Sequence, residues 1–397
     1  MSALQPADLS LMRELNERIV LELLRQNGPI SRAELARRSN LSRSTVSSII
    51  ANLLAAGLVR ETGIGDSNGG RRPIMIEFNY QSSFVVGIDL GNTALTVLLT
   101  DLAANVLGRV QRTFELTTEP HVCLPQVVAL VEELLASERI ARGAIVGVGV
   151  GVPGSLSFAN GRPMMPPAMP GWHDVPLRAL LEDALEMRVF VENDANLGAL
   201  AEHRWGAARE QFNVAYIYLG GAGIGCGLIL DGRLYRGEIG SAGEIGHLMV
   251  EEDGQVCRCG AYGCLEAVAG TPALLGRANA IGLPARSAGD LIRLARAGQE
   301  KAAALIGAAG EYLGVAVANI LNMTNPGCVV IGGELSEAGE LLFDPLRRVM
   351  QRRGLAAATK QVEVVPGQLG GDVIAIGAVS IVVQHAFSVS ARVPNDS

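Results

Sequence analysis

The chain has 397 residues, of which 49% are hydrophobic and 48 are glycine, and a net charge of −7. Such a composition suits a large, tightly turned α/β core of two or three domains and excludes disorder, and the negative charge excludes a protein that coats nucleic acid over its whole surface. No N-terminal stretch joins a charged start to an apolar run and a small-residue cleavage site, and no apolar stretch of 18 residues runs unbroken, so the expectation is a cytoplasmic chain without a membrane partner, in which thiols stay reduced.

Charge is unevenly spread. Residues 1–80 carry ten arginines against eight acidic residues, a balance of +2, which leaves −9 for residues 81–397. That shift marks the first 80 residues as a unit with its own partner. Residues 16–26 place Ile19, Val20, Leu23 and Leu24 on one helical face, and Asn27-Gly28-Pro29 stops the helix. Ser31, with Glu34 three residues on, reads as a capping box that opens a second helix over Arg32 to Arg38. Ser42 caps a third helix that ends at Gly57, with Val46, Ile49, Ile50, Leu53 and Leu54 on its apolar face. Three helices, the last two joined by a tight turn, predict a helix-turn-helix. Its third helix meets base edges near its N-terminus, which makes Ser42, Arg43, Ser44, Thr45 and Ser47 the DNA-contact candidates. A strand at Leu58 to Glu61, a Gly-rich loop and a strand at Ile74 to Phe78 add a wing. Arg71 and Arg72 on that loop are placed to enter a minor groove or clamp phosphates. The same helices would also suit a protein-docking module with a solvated loop, but the helix spacing, the polar face and the basic wing agree on DNA.

The second unit opens with a strand at Phe84 to Thr93, carrying Asp89 and Gly91, and a strand from Ala94 to Thr100. A Gly turn between hairpin strands lays backbone N–H groups against phosphate. The device recurs at Ala215 to Gly227, followed by an Asp231-Gly232 turn. Two copies some 130 residues apart predict a duplicated fold with a cleft between the halves, although each Gly turn alone is a weak signal because hairpins need glycine anyway. Between the copies, Val148 to Val152 reads as a buried strand, and Val189 to Val191 as a strand ending in Glu192-Asn193-Asp194-Ala195-Asn196. A carboxylate at the C-terminal end of a strand faces the ligand crevice in such sheets. Asp194 is therefore a candidate to accept a proton from, or hydrogen-bond, a substrate hydroxyl; capping the following helix is the structural alternative. The apolar-faced helix near Ala302 to Met323 suits either a subunit interface or the core.

The most specific stretch is residues 244–266, EIGHLMVEEDGQVCRCGAYGCLE. It holds His247, Cys257, Cys259 and Cys264, at intervals of ten, two and five, between Glu244 and Glu266. One imidazole and three thiolates make a closed four-coordinate zinc shell of the structural kind, with no position left open for water. A disulfide or unrelated buried thiols are the alternatives, and the reducing compartment weighs against the first.

Taken together, residues 87–93, 149–154, 171–177, 192–196, 217–227 and 244–266 resemble the ROK family (repressors, open reading frames and kinases). The helix-turn-helix and the Gly-Gly-Arg-Arg-Pro wing resemble its transcriptional-repressor branch. The resemblance implies an actin-like sugar-kinase fold behind the winged module, structural zinc at the Cys/His cluster, and a sugar held by Asn193, Asp194, Glu244, His247 and Glu266. Two departures stand out. The first phosphate turn of the family's kinases is Asp-x-Gly-Gly-Thr-Lys, whereas here it is Asp89-Leu90-Gly91-Asn92-Thr93-Ala94; the second is Gly-Thr-Gly, here Gly221-Ala222-Gly223. Phosphoryl transfer rests almost wholly on positioning and charge stabilisation, so the altered turns point to a sugar sensor that has lost ATP use. The competing reading is an active sugar kinase that carries a DNA-binding domain, with Asp194 as its catalytic base. The sensor would be a homodimer or tetramer of two domains, 1–80 and 81–397, reading an inverted repeat of operator DNA and responding to a small sugar effector.

Overall fold

The protein is described from a computed structural model at residues 9–64, 72–116, 119–157, 162–163, 171–221 and 223–387. Its first unit is a winged helix-turn-helix made of α1 (Leu9–Asn27), β1 (Ile30–Ser31), α2 (Arg32–Ser39), α3 (Arg43–Ala55), β2 (Val59–Ile64) and β3 (Ile74–Phe78), with a small sheet ordered β1-β3-β2. Local signals set its boundaries. The Ser31 hydroxyl accepts the Glu34 N–H at 3.2 Å, the Ser42 hydroxyl accepts the Thr45 N–H at 3.1 Å, and Asn40 ends α2 at φ 57°. Only half of the expected capping box forms. The Glu34 carboxylate turns outward to Arg37 and Arg38, whose hydrogen bonds hold it at about 2. Helix α1 buries Val20, Leu21 and Leu24 while Ile19 is exposed, one position off the expected stripe. The helix has two surfaces to cover, since it packs on α2 and α3 and also on the last helix of the chain.

The body behind it holds two lobes with one strand pattern. The first comprises β4 (Phe84–Leu90), β5 (Ala94–Asp101), β6 (Val106–Thr113), α4 (Pro120–Ser137), β7 (Ile145–Val152), α5 (Leu177–Leu185), β8 (Val189–Asn193) and α6 (Asp194–Trp205). The second comprises β9 (Val214–Leu219), β10 (Ile224–Leu230), β11 (Arg233–Tyr235), α7 (Leu265–Ala269), α8 (Thr271–Ala280), α9 (Ala288–Arg296), α10 (Glu300–Thr324), β12 (Cys328–Gly332), α11 (Glu340–Arg353), α12 (Ala356–Thr359), β13 (Glu363–Pro366) and α13 (Val373–Phe387). The sheets run β6-β5-β4-β7-β8 and β11-β10-β9-β12-β13. In each, the first three strands in sequence are antiparallel neighbours and the last two join in parallel. The expected duplication is therefore present, strand for strand. The Asp231-Gly232 turn closes β10 to β11 with both residues at positive φ, 52° and 71°, as a two-residue hairpin of the twist-matched type requires.

The lobes are tied by exchanging helices. Helix α6, from the first lobe, lies on β9 and β10 of the second; α13, from the second, lies on β4 and β7 of the first; and the two helices pack on each other. Glycine makes this approach feasible. A Cβ at Gly149 on β7 would stand 2.0 Å from the Ala378 carbonyl oxygen of α13, and one at Gly227 on β10 would stand 2.3 Å from the Ala195 oxygen of α6. One apolar cluster then runs from Val20, Leu24 and Ile50 of the winged module through Val379 and Val382 of α13 to Leu197 and Leu200 of α6.

Helix α10 is long and apolar enough to cross a membrane by length and composition, so the test of an unbroken apolar stretch does not by itself separate it from a span. Its Leu305, Leu313, Val317, Ile320 and Leu321 are buried in the second lobe's core. A Cβ at Gly310 would meet the Leu342 oxygen of α11 at 2.3 Å. Between the subunit-interface and core readings, the packing decides for core.

Candidate functional site

A cavity of about 440 Å³ opens between the lobes, in the range typical of small-molecule sites. The first lobe contributes Asp89 from the end of β4, Asn92 from the β4–β5 turn, Ser155 from the loop after β7, and Asn193 and Asp194 from the β8–α6 junction; the second contributes Tyr218, the Gly220–Gly221 turn, Glu244, His247, Arg258, Cys259 and Glu266. All five sugar-contact candidates from the sequence thus line one cavity.

Each is held differently. Asn193, rather than Asp194, caps α6: its Oδ1 accepts the Asn196 N–H at 3.0 Å, and its Nδ2 donates to the Gly154 oxygen at 3.0 Å and to Asp194 Oδ1 at 3.1 Å. The capping alternative for Asp194 is therefore corrected. Asp194 stands in the first turn, where its Oδ1 also accepts the Ala195 N–H at 2.7 Å. Burial, reinforced by Glu244, pushes the Asp194 carboxyl up to about 7, and burial with Asp194 next pushes Asp89 up to about 8. Just before them, the buried Glu192 accepts from the Asn193 N–H and Asn196 Nδ2, both at 3.0 Å, and from Arg236 Nε of the second lobe at 2.6 Å. Its position fixes the strand end from which Asp194 projects.

On the opposite wall, Glu244 Oε1 accepts the Ser155 hydroxyl across the cleft at 2.5 Å. Glu266 takes both arms of Arg258, from Nε at 2.7 Å and Nη2 at 2.8 Å, and also the Ile224 N–H at 3.2 Å. Ser155, Arg258 and the Glu192–Arg236 pair were not anticipated from the sequence. Arg258 sits inside the cysteine run, where the thiol spacing is the stronger local signal. Ser155 and Arg236 carry no local signal, because their partners lie 89 and 44 residues away.

His247, Cys257, Cys259 and Cys264 converge, with their ligand atoms all within 4.8 Å of one another. Cys257 Sγ lies 3.7 Å from His247 Nδ1, and Cys259 Sγ lies 3.7 Å from Cys264 Sγ. Ligands about 2.3 Å from a tetrahedral ion stand about 3.8 Å apart, whereas a disulfide would bring the sulfurs to about 2.05 Å. All six cysteines are free thiols. The group is able to hold a metal ion, and the disulfide alternative is excluded by distance.

In the winged module, Arg43, Ser44 and Ser47 on α3 are exposed and Thr45 is half-buried. The Ser42 hydroxyl is engaged with Ser44 Oγ and Thr45 Oγ1, both at 2.8 Å, besides its cap. Arg72 is exposed at the foot of β3; Arg71 and the rest of the wing tip lie outside the described residues, as does Ala222 of the second Gly turn.

Comparison with known proteins places this geometry. The ROK family profile matches residues 85–385, and a winged helix-turn-helix DNA-binding profile matches residues 13–60. The chain is 32% identical to the xylose repressor of Bacillus subtilis (strain 168) over 379 residues, covering 96% of this chain and 97% of that protein. It is 30% identical to the DNA-binding transcriptional dual regulator NagC of Escherichia coli (strain K12), covering 95% and 94%. Among solved structures it is similar to a ROK family transcriptional regulator described as a homolog of the E. coli MLC protein, with a TM-score of 0.82 at 26% identity, over 96% of this chain and 98% of that one. It is also similar to a ROK family glucokinase from Streptomyces griseus in complex with glucose and AMPPNP, with a TM-score of 0.66 at 28% identity, over 75% of this chain and 99% of that one.

Proposed function

The chain belongs to the ROK family, and from that premise we propose that it is a transcriptional repressor of carbohydrate genes, acting on operator DNA in the cytoplasm and released or engaged by a sugar bound between its lobes. The observation that carries the reading is α6. The helix starts in the cavity at Asp194 and ends at Trp205, where the neighbouring Arg204 feels the charge of Arg25 on α1. Trp205 packs against the apolar cluster shared with α1 and α13. Arg204 stacks over the Trp205 ring at 5.2 Å; burial and then the charge of Arg25 on α1 hold its guanidinium down at about 10. At the same end, Glu202 accepts the Ala207, Gln368 and Leu369 N–H groups at 2.7, 2.9 and 3.0 Å, which fastens α6 to the segment leading into α13. A ligand that closes the lobes moves α6 and α13, and with them the seat of α1. The shift in DNA affinity is bounded by the ligand's unequal affinity for the two geometries.

In this reading residues 1–80 form the DNA-binding domain and 81–397 the sugar-binding and oligomerisation domain. Arg43, Ser44, Thr45 and Ser47 meet base edges, with Arg71 and Arg72 on the flanking backbone. Zinc, held by His247, Cys257, Cys259 and Cys264, does no chemistry and pins the wall that presents Glu244 and Glu266. Asn193, Asp194, Glu244, His247 and Glu266 receive the sugar. A homodimer reads an inverted repeat. Sugar-kinase turnover is not part of the proposal: Glu266 already occupies the Ile224 N–H beside the second Gly turn.

The test is retardation of the chain's own upstream DNA, with and without sugars, beside a coupled ATPase assay. Expected are specific retardation, its reversal or enhancement by one sugar, and no ATP turnover above background. An Arg43→Ala variant should weaken retardation at least tenfold with sugar binding intact. Retardation that the variant leaves unchanged, or turnover at ordinary kinase rates, overturns the reading.

A further inference from the structure

A second cavity, of about 150 Å³, shares the end of β8 with the inter-lobe cavity: Glu192 lines it, while the next two residues, Asn193 and Asp194, line the larger one. Its walls come from β8, from the segment that follows β11 and from the last turns of α13, so both lobes and the helix against which α1 packs meet there. We propose that this cavity binds a small oxyanion, a carboxylate or a phosphate, which clamps the two lobes and α13 together. The site is separate from the sugar cavity, and the proposal does not depend on the sugar-responsive reading.

Two guanidiniums, Arg178 and Arg236, line the cavity against one carboxylate, Glu192. That carboxylate is already engaged on both oxygens: Oε1 accepts the Asn193 N–H and Asn196 Nδ2, and Oε2 accepts Arg236 Nε. Arg178 pairs with no carboxylate among the described residues. Glu182, one helical turn further along α5, instead accepts the Val189 N–H at 3.1 Å. Two cations and one anion leave the described lining at +1 with the His385 ring neutral. Arg188, over the Phe190 ring at 4.9 Å, adds a further positive charge at the same wall.

An exposed, unpaired arginine alone says little, since surface cations are commonly solvated. Here the guanidinium of Arg178 shares a concave space with that of Arg236, and Phe190, Val191 and Ile381 back them with apolar surface. Low-dielectric walls focus the field of the charges into the space they enclose. His385 completes the wall, its Nδ1 donating to the Ile381 oxygen at 2.8 Å and its ring 4.8 Å from that of Phe190. The Ser157 hydroxyl, also on the lining, supplies a neutral donor. The planar fork of a guanidinium matches the paired oxygens of a carboxylate or phosphate. The volume lies below the about 300–1,000 Å³ of drug-sized sites, which limits the occupant to a small ion.

The test is titration of the full-length protein with inorganic phosphate and with succinate, beside chloride at matched ionic strength, followed by calorimetry and by the thermal midpoint. At least one of the two oxyanions should bind with a Kd at or below about 1 mM and raise the midpoint by about 2 °C, while chloride does neither; the tighter of the two identifies the class. Arg178→Gln should keep the midpoint of the anion-free protein and weaken the oxyanion at least about tenfold. Arg178→Lys, which keeps the charge but loses the fork, should fall between. Failure of both oxyanions to bind, or binding that Arg178→Gln leaves unchanged, overturns the proposal.

Discussion

The two lobes share a strand order but not a content. Between its third and fourth strands the first lobe has a single main helix, α4; at the same point the second inserts the Cys/His run and four helices, α7 to α10. The insertion supplies His247, Arg258, Cys259 and Glu266 to the cavity wall, and the loop just before it supplies Glu244. The first lobe answers with Asp89, Ser155, Asn193 and Asp194, all at or just beyond the C-terminal ends of strands the two lobes have in common. The repeated architecture fixes where a cleft must be. The unrepeated insertion makes its two walls chemically different.

The largest test addresses the repeated part. Gly149→Ala and Gly227→Ala each drive a Cβ into the backbone of an exchanged helix, and each should destabilise the protein by upward of about 4 kcal/mol, read as a collapse of the urea midpoint. A mild effect in one lobe and a severe one in the other would show that the helix exchange is not symmetrical. Next comes the insertion. Cys264→Ser should abolish zinc retention, measured by metal analysis, and should remove the sugar response while specific DNA retardation persists. Equal loss of both functions would mean that the insertion supports the whole body and not the cleft wall alone.

A third test cuts between the lobes. In Arg236→Ala the buried Glu192 loses its charge partner, which should cost about 3 kcal/mol and weaken sugar binding through the Asn193–Asp194 junction; an unchanged thermal midpoint would show that the pair is dispensable. The smallest effect separates the lobes by pH. Asp89 and Asp194 both belong to the first lobe and have folded values of about 8 and about 7 against an ordinary 3.8. The folded chain therefore holds protons that the unfolded chain has released, and stability should fall as pH rises from about 4 to about 8. Between about pH 5.5 and 8.5 stability should fall throughout, and Asp89→Asn should flatten the fall. A profile that rises over this range would place the controlling carboxylates elsewhere.

Much of this was legible before any tertiary contact was known, wherever the signal is local. Ser31 and Ser42 cap their helices because a hydroxyl reaches the N–H three residues on whatever surrounds it. Asp231-Gly232 closes a hairpin because its backbone conformation is set within the turn. Four candidate metal ligands within 18 residues (247–264) announce themselves because the loop between them is short enough to converge. Periodicity gave the buried stripe of α3, but on α1 it missed Leu21, since a second packing surface is invisible to a single helix.

What the sequence alone determined, then, are the winged module, the duplication and a Cys/His group able to hold a metal, all fixed by interactions within a few residues or by repetition. Only the tertiary structure decided that Asn193 rather than Asp194 caps α6, that α10 is core, that α6 and α13 change lobes, and that Ser155–Glu244, Glu192–Arg236 and Arg258–Glu266 define the cavity. The first two of those pairs join residues far apart in the chain. The third is close in sequence, but its geometry depends on the metal-ligand loop folding back over the Gly223 turn. Such pairings follow from where whole lobes come to rest, a balance of packing over the entire body that no local pattern encodes.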